Sequence, residues 1–178
     1  MNFETIAAIS TAYGTAGISV IRVSGDTSIS QINQIFKGFD LLKAKSHTLH
    51  YGHIINDDGS YLDEVMVAVM KAPKTFTAED VVEISTHGGI LITQKVLERI
   101  LSLGIRLAEP GEFTKLAFQN NKIDLLEAES IGDLIHSETE LQREQAVKLV
   151  QGNASNYYNK FCLVCSNLIF FCRLEFLS

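Results

Sequence analysis

Hydrophobic residues alternate with polar ones, or form short unbroken runs, over the first two thirds of the chain. Such patterns are typical of β-strands, and the Gly- and Asn-rich stretches between them are typical of turns. The pattern predicts strands over residues 5–10, 18–23, 47–55, 61–70, 81–86 and 105–108. The nearly continuous apolar run 61–70 predicts a central strand buried on both faces, paired as a hairpin with 47–55.

A period of three to four residues replaces this alternation in three other segments, and it predicts short amphipathic helices. These helices are expected near residues 29–36, from His87-Gly88-Gly89 to a stop at Gly104, and around Phe113, Leu116 and Ala117 as far as Asn120-Asn121. In the second predicted strand Arg22 stands between Ile21 and Val23, so its side chain points to the opposite sheet face from theirs.

Beyond residue 124 the pattern is only helical. The stretches Asp124–Glu127 and Ser137–Glu140 have the form of capping boxes, which predict helices over 125–136 and 138–151. A third helix is expected after Asn153. The sequence therefore predicts an α+β fold, an N-terminal mixed sheet with flanking helices, followed by an all-α segment that looks like part of a truncated helical bundle.

Composition excludes several classes of function. A hydrophobic content of 46% and a charged content of 20% describe a globular chain, and a net charge of −6 disfavours a stand-alone module that grips RNA through phosphates. Three late cysteines do not suit a disulfide framework, and we expect a cytoplasmic location. The longest apolar run, 161–177, is interrupted by polar residues and is short of the ~20 residues that a bilayer needs, so no membrane contact is expected.

Candidate chemistry from single motifs is weak. His47, His50 and His53 cannot converge on a metal from one strand, and Cys162-x-x-Cys165 has no second pair, so it is better explained by helix packing. Residues 87–89 are compatible with anion binding at a helix N-terminus or with a tight turn that needs positive φ. The phosphate loop Gly-x-x-x-x-Gly-Lys-Ser/Thr is missing, so this chain should not hydrolyse GTP.

Several motifs occur in one order along nearly the whole chain, and together they resemble the tRNA modification GTPase family of the MnmE or TrmE type. The matching pieces are Thr5-Ile-Ala-Ala8, Gly17-Ile-Ser-Val-Ile-Arg-Val-Ser-Gly25, Ala72-Pro73, Thr77-Ala-Glu-Asp-Val-Val-Glu83, His87-Gly-Gly89, Glu109-Pro-Gly-Glu-Phe-Thr114 and Asn121-Lys-Ile-Asp-Leu125. One such piece is weak evidence, whereas their ordered run is highly specific.

The resemblance implies a tetrahydrofolate-binding and dimerisation domain over 1–118, similar to aminomethyltransferase-type domains, and the first part of a helical domain over 119–178. In the family a GTPase domain, which would bind GTP, magnesium and potassium, is inserted into that helical domain and is missing here. Family members form homodimers, act with a flavin-dependent partner protein on C5 of the wobble uridine in tRNA, and take one carbon from a tetrahydrofolate such as 5-formyl-tetrahydrofolate.

The family's folate contacts correspond to Arg22, Glu79 and Lys122 of this sequence, with no catalytic residue and no metal ligand. The chain departs from the family pattern at two positions. Ala78 replaces a usual glycine, which is expected to restrict the backbone beside Glu79, and Leu116 replaces a usual arginine, which is expected to weaken a neighbouring anion or RNA contact. An alternative therefore stays open, namely a dimerisation scaffold that does not bind folate.

Overall fold

Seven strands and five helices account for most of the computed structural model, which describes residues 4–150. The strands are β1 Ile6–Ile9, β2 Ile18–Ser24, β3 Phe36–Gly38, β4 Thr48–Ile55, β5 Tyr61–Met70, β6 Val81–His87 and β7 Arg106–Leu107. The helices are α1 Ser28–Ile35, α2 Ile90–Leu101, α3 Glu112–Gln119, α4 Leu125–Ile135 and α5 Glu140–Val150. Each strand predicted from the sequence is present, and β3 is an addition.

The strands form one sheet in the order β3-β4-β5-β6-β2-β1-β7. Neighbouring strands run antiparallel except β1 and β7, which are parallel, so the predicted α+β class with a mixed sheet is confirmed. The expected hairpin of residues 47–55 with 61–70 is the β4–β5 pair. The chain divides after Lys122 into two compact units, and the whole sheet lies in the first.

The core lies on one face of this sheet. Ile21 and Val23 of β2 and Ile84 of β6 are buried there against apolar side chains of α1 and α2, such as Ile32 and Val96. The alternation of side chains along each strand places Arg22 and Ser24 of β2 and Glu83 of β6 on the opposite face. Arg22 therefore stands on the sheet face away from α1 and α2.

The prediction that residues 61–70 are buried on both faces is wrong. Val65, Val67 and Val69 are buried, but Glu64 and Met66, which alternate with them, are exposed. The valines share the core cluster with residues of α1 and α2, and this cluster covers a single face of β5. Met66 belongs to the other face, which accounts for its exposure.

In the second unit α4 and α5 pack on each other. The predicted capping box at the start of α4 is confirmed, because Glu127 N–H donates to Asp124 Oδ1 at 2.8 Å and Asp124 N–H donates to Glu127 Oε2 at 2.7 Å. The box predicted for 137–140 is wrong by two residues. Thr139 Oγ1 accepts from the Gln142 N–H, and the Gln142 side chain accepts from the Thr139 N–H, so α5 begins later.

The helix expected after Asn153 and the cysteine pair 162–165 lie outside the described residues. Among the helices of residues 4–150, none combines the length and the apolar character that crossing a membrane requires.

Candidate functional site

Arg22 stands at the middle of β2, on the sheet face away from the core. It lies directly opposite Glu83 of β6, and this register brings both side chains together. Arg22 Nε donates to Glu83 Oε1 at 2.8 Å, and Nη2 lies 2.7 Å from the same oxygen. Both side chains are only about a quarter exposed, at 27% and 28%. The Arg22 charge is therefore compensated by a carboxylate of the protein itself.

Two aromatic rings lie against the same guanidinium. Arg22 Cζ is 5.4 Å from the ring centroid of Phe76 and 5.6 Å from that of Phe113. Phe76 belongs to the loop between β5 and β6, whereas Phe113 belongs to the first turn of α3. Both distances are within cation–π range. One charged side chain thus joins two segments that are distant in sequence.

Glu79 is a buried carboxylate in the same loop, with 7% of its surface exposed. Ser24 Oγ donates to Glu79 Oε2 at 2.9 Å and also lies 2.7 Å from Thr77 Oγ1. Ser24 is two residues beyond Arg22 on β2, on the same face and roughly 7 Å along the strand. The Glu79 carboxylate therefore lies at the end of β2, on the same side of the sheet as Arg22.

Ala78 adopts a left-handed backbone conformation, with φ at 62°. Glycine enters this region without cost, but a residue with a Cβ is disfavoured there by roughly 1–2 kcal/mol. Hydrogen bonds on both sides hold it in place, because Thr75 Oγ1 donates to the Glu79 carbonyl at 2.7 Å and Asn120 Nδ2 donates to the Thr77 carbonyl at 2.7 Å. The loop therefore keeps a glycine-type conformation although residue 78 is alanine.

Lys122 follows the end of α3. Asn121 has φ at 55° and ends the helix as the sequence predicted, after which the Lys122 N–H donates to the Ala117 carbonyl at 2.8 Å. The Lys122 side chain is exposed, and it forms no ion pair with any residue in the range 4–150. Leu116 of α3 is buried at 5%, so this position packs inward and does not present a side chain to solvent.

The three residues predicted from the sequence are thus connected through one assembly of β2, the 71–80 loop and the end of α3. The Glu79 carboxylate contacts Ser24, which is on the same face of β2 as Arg22, and Lys122 is two residues from Asn120, which binds the loop that carries Glu79. Sequence reasoning missed Glu83, Phe76, Phe113 and Ser24. Arg22 was expected on the opposite sheet face from Ile21 and Val23, but the register that pairs it with Glu83 cannot be read from either strand alone.

The turn after β6 needs its first glycine for a reason other than positive φ. Gly88 and Gly89 do not have positive φ, so the expectation of a left-handed turn is wrong. A Cβ on Gly88 would lie 2.4 Å from the Ala16 carbonyl oxygen, so close backbone approach is the reason for this glycine. His87 Nδ1 lies 2.7 Å from Asp63 Oδ1, and that hydrogen bond raises the pKa of the His87 imidazole above its usual value.

Comparison with known proteins gives the same assignment for most of the chain. The sequence profile described as "GTP-binding protein TrmE N-terminus" matches residues 5–122. The chain is 71% identical over 140 residues to the tRNA modification GTPase MnmE of Acholeplasma laidlawii, and the match covers 79% of this chain and 31% of the relative. It is 59% identical over 157 residues to the protein of the same name from Aster yellows witches'-broom phytoplasma, covering 88% and 33% respectively.

The chain spans about a third of the length of the curated relatives that it matches. The profile match ends at Lys122, the same residue after which the structure divides into two units. The agreement of the profile, the identities and the fold leaves one conclusion: this chain belongs to the family described as the N-terminus of the GTP-binding protein TrmE.

Proposed function

We propose that the chain binds a one-carbon tetrahydrofolate, such as 5-formyl-tetrahydrofolate, through Glu79, Arg22 and Lys122. A reduced folate has a pterin edge rich in N–H donors and a tail with two carboxylates. Such a ligand requires an acceptor carboxylate at one end of an apolar site and a cation toward the other. Glu79 is suited to accept from the pterin, and Lys122 is suited to meet the tail.

The observation that carries this proposal is the burial of Glu79. A carboxylate that is 7% exposed loses hydration, and the Ser24 hydroxyl donates a hydrogen bond to it at 2.9 Å. Burial of a carboxylate is costly unless hydrogen-bond donors compensate it. A ligand that brings two N–H donors to this carboxylate would offset that cost, which gives a reason for a buried carboxylate beside the end of β2.

Calorimetric titration of the 178-residue chain with 5-formyl-tetrahydrofolate tests the proposal. A hydrogen bond to a charged group contributes about 1.5–3 kcal/mol, so Glu79→Gln and Lys122→Ala are each expected to weaken binding roughly ten- to a hundredfold. Lys115→Ala removes another exposed lysine, one within α3 itself, and should bind like the parent. Two site variants with parental affinity would remove both residues from the site.

We further propose that residues 1–118 form a homodimer and that the chain serves as the N-terminal part of a tRNA-modifying GTPase. That parent would act on C5 of the wobble uridine in the cytoplasm, together with a flavin-dependent partner, while GTP, magnesium and potassium would bind in the GTPase domain. The names of the relatives, tRNA modification GTPase MnmE, support this role. Light scattering should give twice the mass of 19.7 kDa, and a monomer at high micromolar concentration would contradict the dimer.

A second candidate function is a dimerisation scaffold without folate binding. Its support is the ion pair of Arg22 with Glu83, because the positive charges of Arg22 and Lys122 are then balanced by Glu79 and Glu83. A dianionic tail would meet little net positive charge from these four residues. The same titration separates the two candidates. If the parent chain does not bind folate, the dimerisation scaffold is the function that remains.

A further inference from the structure

We propose that the open end of the β4–β5 hairpin, where β4 begins and β5 ends, is a contact surface for an unpaired segment of RNA. This surface, called the lysine patch below, consists of Phe39, Lys43, Lys45, His50, Lys71 and Lys74. Its lysines would meet backbone phosphates, and its two stacked rings would meet a base. The inference rests on the proposed role in tRNA modification only for its choice of RNA over DNA, and it does not involve the residues proposed to bind folate.

The first argument is a local excess of positive charge in an acidic chain. Residues 41–56 and 65–78 contain the four lysines of the patch and no aspartate or glutamate, although the whole chain has 21 acidic residues. In the β4–β5 ladder Thr48 lies opposite Val69, and this register brings the two stretches together. The four lysines therefore belong to one end of the hairpin.

Asp40 and Asp80 border this surface without neutralising it. Asp40 Oδ2 lies 3.1 Å from Lys43 Nζ, and Asp80 Oδ1 accepts from the Ala72 N–H at 2.8 Å. Four lysines less these two carboxylates leave a net charge of +2. Phosphate contacts depend on cations that are clustered locally, so the net charge of −6 for the whole chain does not prevent them here.

The second argument is that the backbone of the lysine-bearing segments is fixed while the charged groups are free. The Lys71 N–H donates to Ser46 Oγ at 2.8 Å, and Thr48 Oγ1 donates to the Lys45 carbonyl at 2.7 Å. Lys45, Lys71 and Lys74 form no ion pair with any residue in the range 4–150. Their ammonium groups can therefore bind phosphates without first breaking a salt bridge.

The third argument is an exposed pair of stacked rings that is joined to these lysines. The ring centroids of Phe39 and His50 are 4.6 Å apart, with an angle of 9° between the planes, and Phe39 is 47% exposed. The Thr48 hydroxyl uses its proton on the Lys45 carbonyl, so His50 Nε2, 2.8 Å from Thr48 Oγ1, is the donor of that second bond. One hydroxyl thus fixes both the imidazole and the backbone of Lys45.

This combination favours unpaired RNA over other anionic partners. An acidic peptide or an anionic membrane would use the lysines and leave the stacked rings without a role. An RNA duplex offers phosphates, but its bases are already stacked on one another. An unpaired segment offers both phosphates for the cations and a free base for the outer face of Phe39.

Fluorescence anisotropy of a labelled oligouridine of about 12 nucleotides, titrated with the full chain, tests the phosphate contacts. Each such contact changes the slope of log K against log salt by roughly −0.7, so four lysines predict a slope of about −2.8. The double variant Lys45→Ala/Lys71→Ala should bind more weakly, with a slope of about −1.4. Lys95→Ala/Lys115→Ala removes two exposed lysines outside the patch and should keep the parental slope.

The contribution of the rings is separable, because leucine changes stacking without changing charge. Phe39→Leu should weaken oligouridine binding roughly five- to a hundredfold at an unchanged salt slope, and Phe39→Tyr, which keeps a ring, should bind like the parent. Phe118→Leu is the matched control, since Phe118 is 42% exposed and lies outside the patch. Binding of an RNA duplex of the same length should be insensitive to Phe39→Leu.

Thermal midpoints and the 5-formyl-tetrahydrofolate titration verify that each variant is folded. A parental salt slope of Lys45→Ala/Lys71→Ala overturns the phosphate contacts, and parental affinity of Phe39→Leu overturns base stacking. Tighter binding of a glutamate-rich peptide, of anionic vesicles or of an oligodeoxyuridine of the same length overturns RNA as the partner. A parent chain that does not bind oligouridine at ~50 mM salt overturns the whole proposal while the folate proposal stands.

Discussion

Replacing Ala78 by glycine should stabilise the protein, although it removes a methyl group. With φ at 62°, Ala78 stands in the left-handed region, which costs a residue with a Cβ roughly 1–2 kcal/mol. Glycine relieves this strain, but its greater freedom in the unfolded chain costs about 0.4–1 kcal/mol. The difference predicts a gain in the free energy of unfolding of about 0.5–1 kcal/mol.

Thermal unfolding followed by circular dichroism measures this gain. For a unit of this size we expect the midpoint of Ala78→Gly to rise by roughly 2–5 °C. Ala108→Gly is the matched control, because Ala108 is not among the described residues with positive φ and its substitution carries only the entropic cost. It should lower the midpoint by a similar amount. Each variant thus removes one alanine methyl group, but the expected changes in the unfolding midpoint have opposite signs.

Gly111→Ala provides the reverse change at a second left-handed position. Gly111 has φ at 75°, and a Cβ there would meet nothing within 4 Å, so strain acts without a steric clash. This variant should lose about 1 kcal/mol of stability. If Ala78→Gly lowered the midpoint as Ala108→Gly does, the assignment of strain to residue 78 would be wrong.

Three further variants test other contacts. Asn120→Ala removes the hydrogen bond that joins the end of α3 to the 71–80 loop, so urea unfolding should show a loss of about 1–2 kcal/mol. The folded-state pKa of His87 is raised above 6.5, so its pairing with Asp63 stabilises the protein fully below that pH, and this stabilisation is lost as the pH rises through the raised pKa. Asp63→Asn should remove this pH dependence. If the urea midpoints of the parent and of Asp63→Asn shifted equally between pH 5.5 and 8.5, the role of this pairing would be contradicted. Gly25→Ala would place a Cβ 2.8 Å from the Thr5 Cα at φ of 143°, so it should yield little folded protein by circular dichroism, whereas a parental midpoint would contradict that close contact.

Much of the fold follows from local sequence signals. The strand predicted over 81–86 is present as β6, in which the apolar Val82 and Ile84 are buried while Glu83 between them is partly exposed. The capping box of Asp124 with Glu127 also lies where the sequence placed it, because it depends on residues within one turn. Such features are determined by neighbours that are close in the chain.

Other features could not be predicted from the sequence, because they depend on strand register and on partners that are distant in the chain. The ion pair of Arg22 with Glu83 joins residues 61 positions apart, and only the alignment of β2 with β6 brings them together. The exposure of Met66 on β5 was missed for a related reason, since an apolar run does not reveal how many faces of a strand are covered. The Ser24 hydroxyl beneath Glu79 likewise has no local signal.

The sheet order has a consequence for the way in which the chain folds during synthesis. β1 pairs in parallel with β7 at Arg106 and Leu107, so one edge of β1 stays unpaired until the roughly hundred residues that follow it have also left the ribosome. Long-range pairing of this kind raises contact order and slows folding, and an open edge invites pairing with other chains. The bond from Asn120 to the 71–80 loop forms later still. The candidate site is therefore completed at the end of the folding of this unit, and chains released before residue 120 would carry the sheet without a finished site.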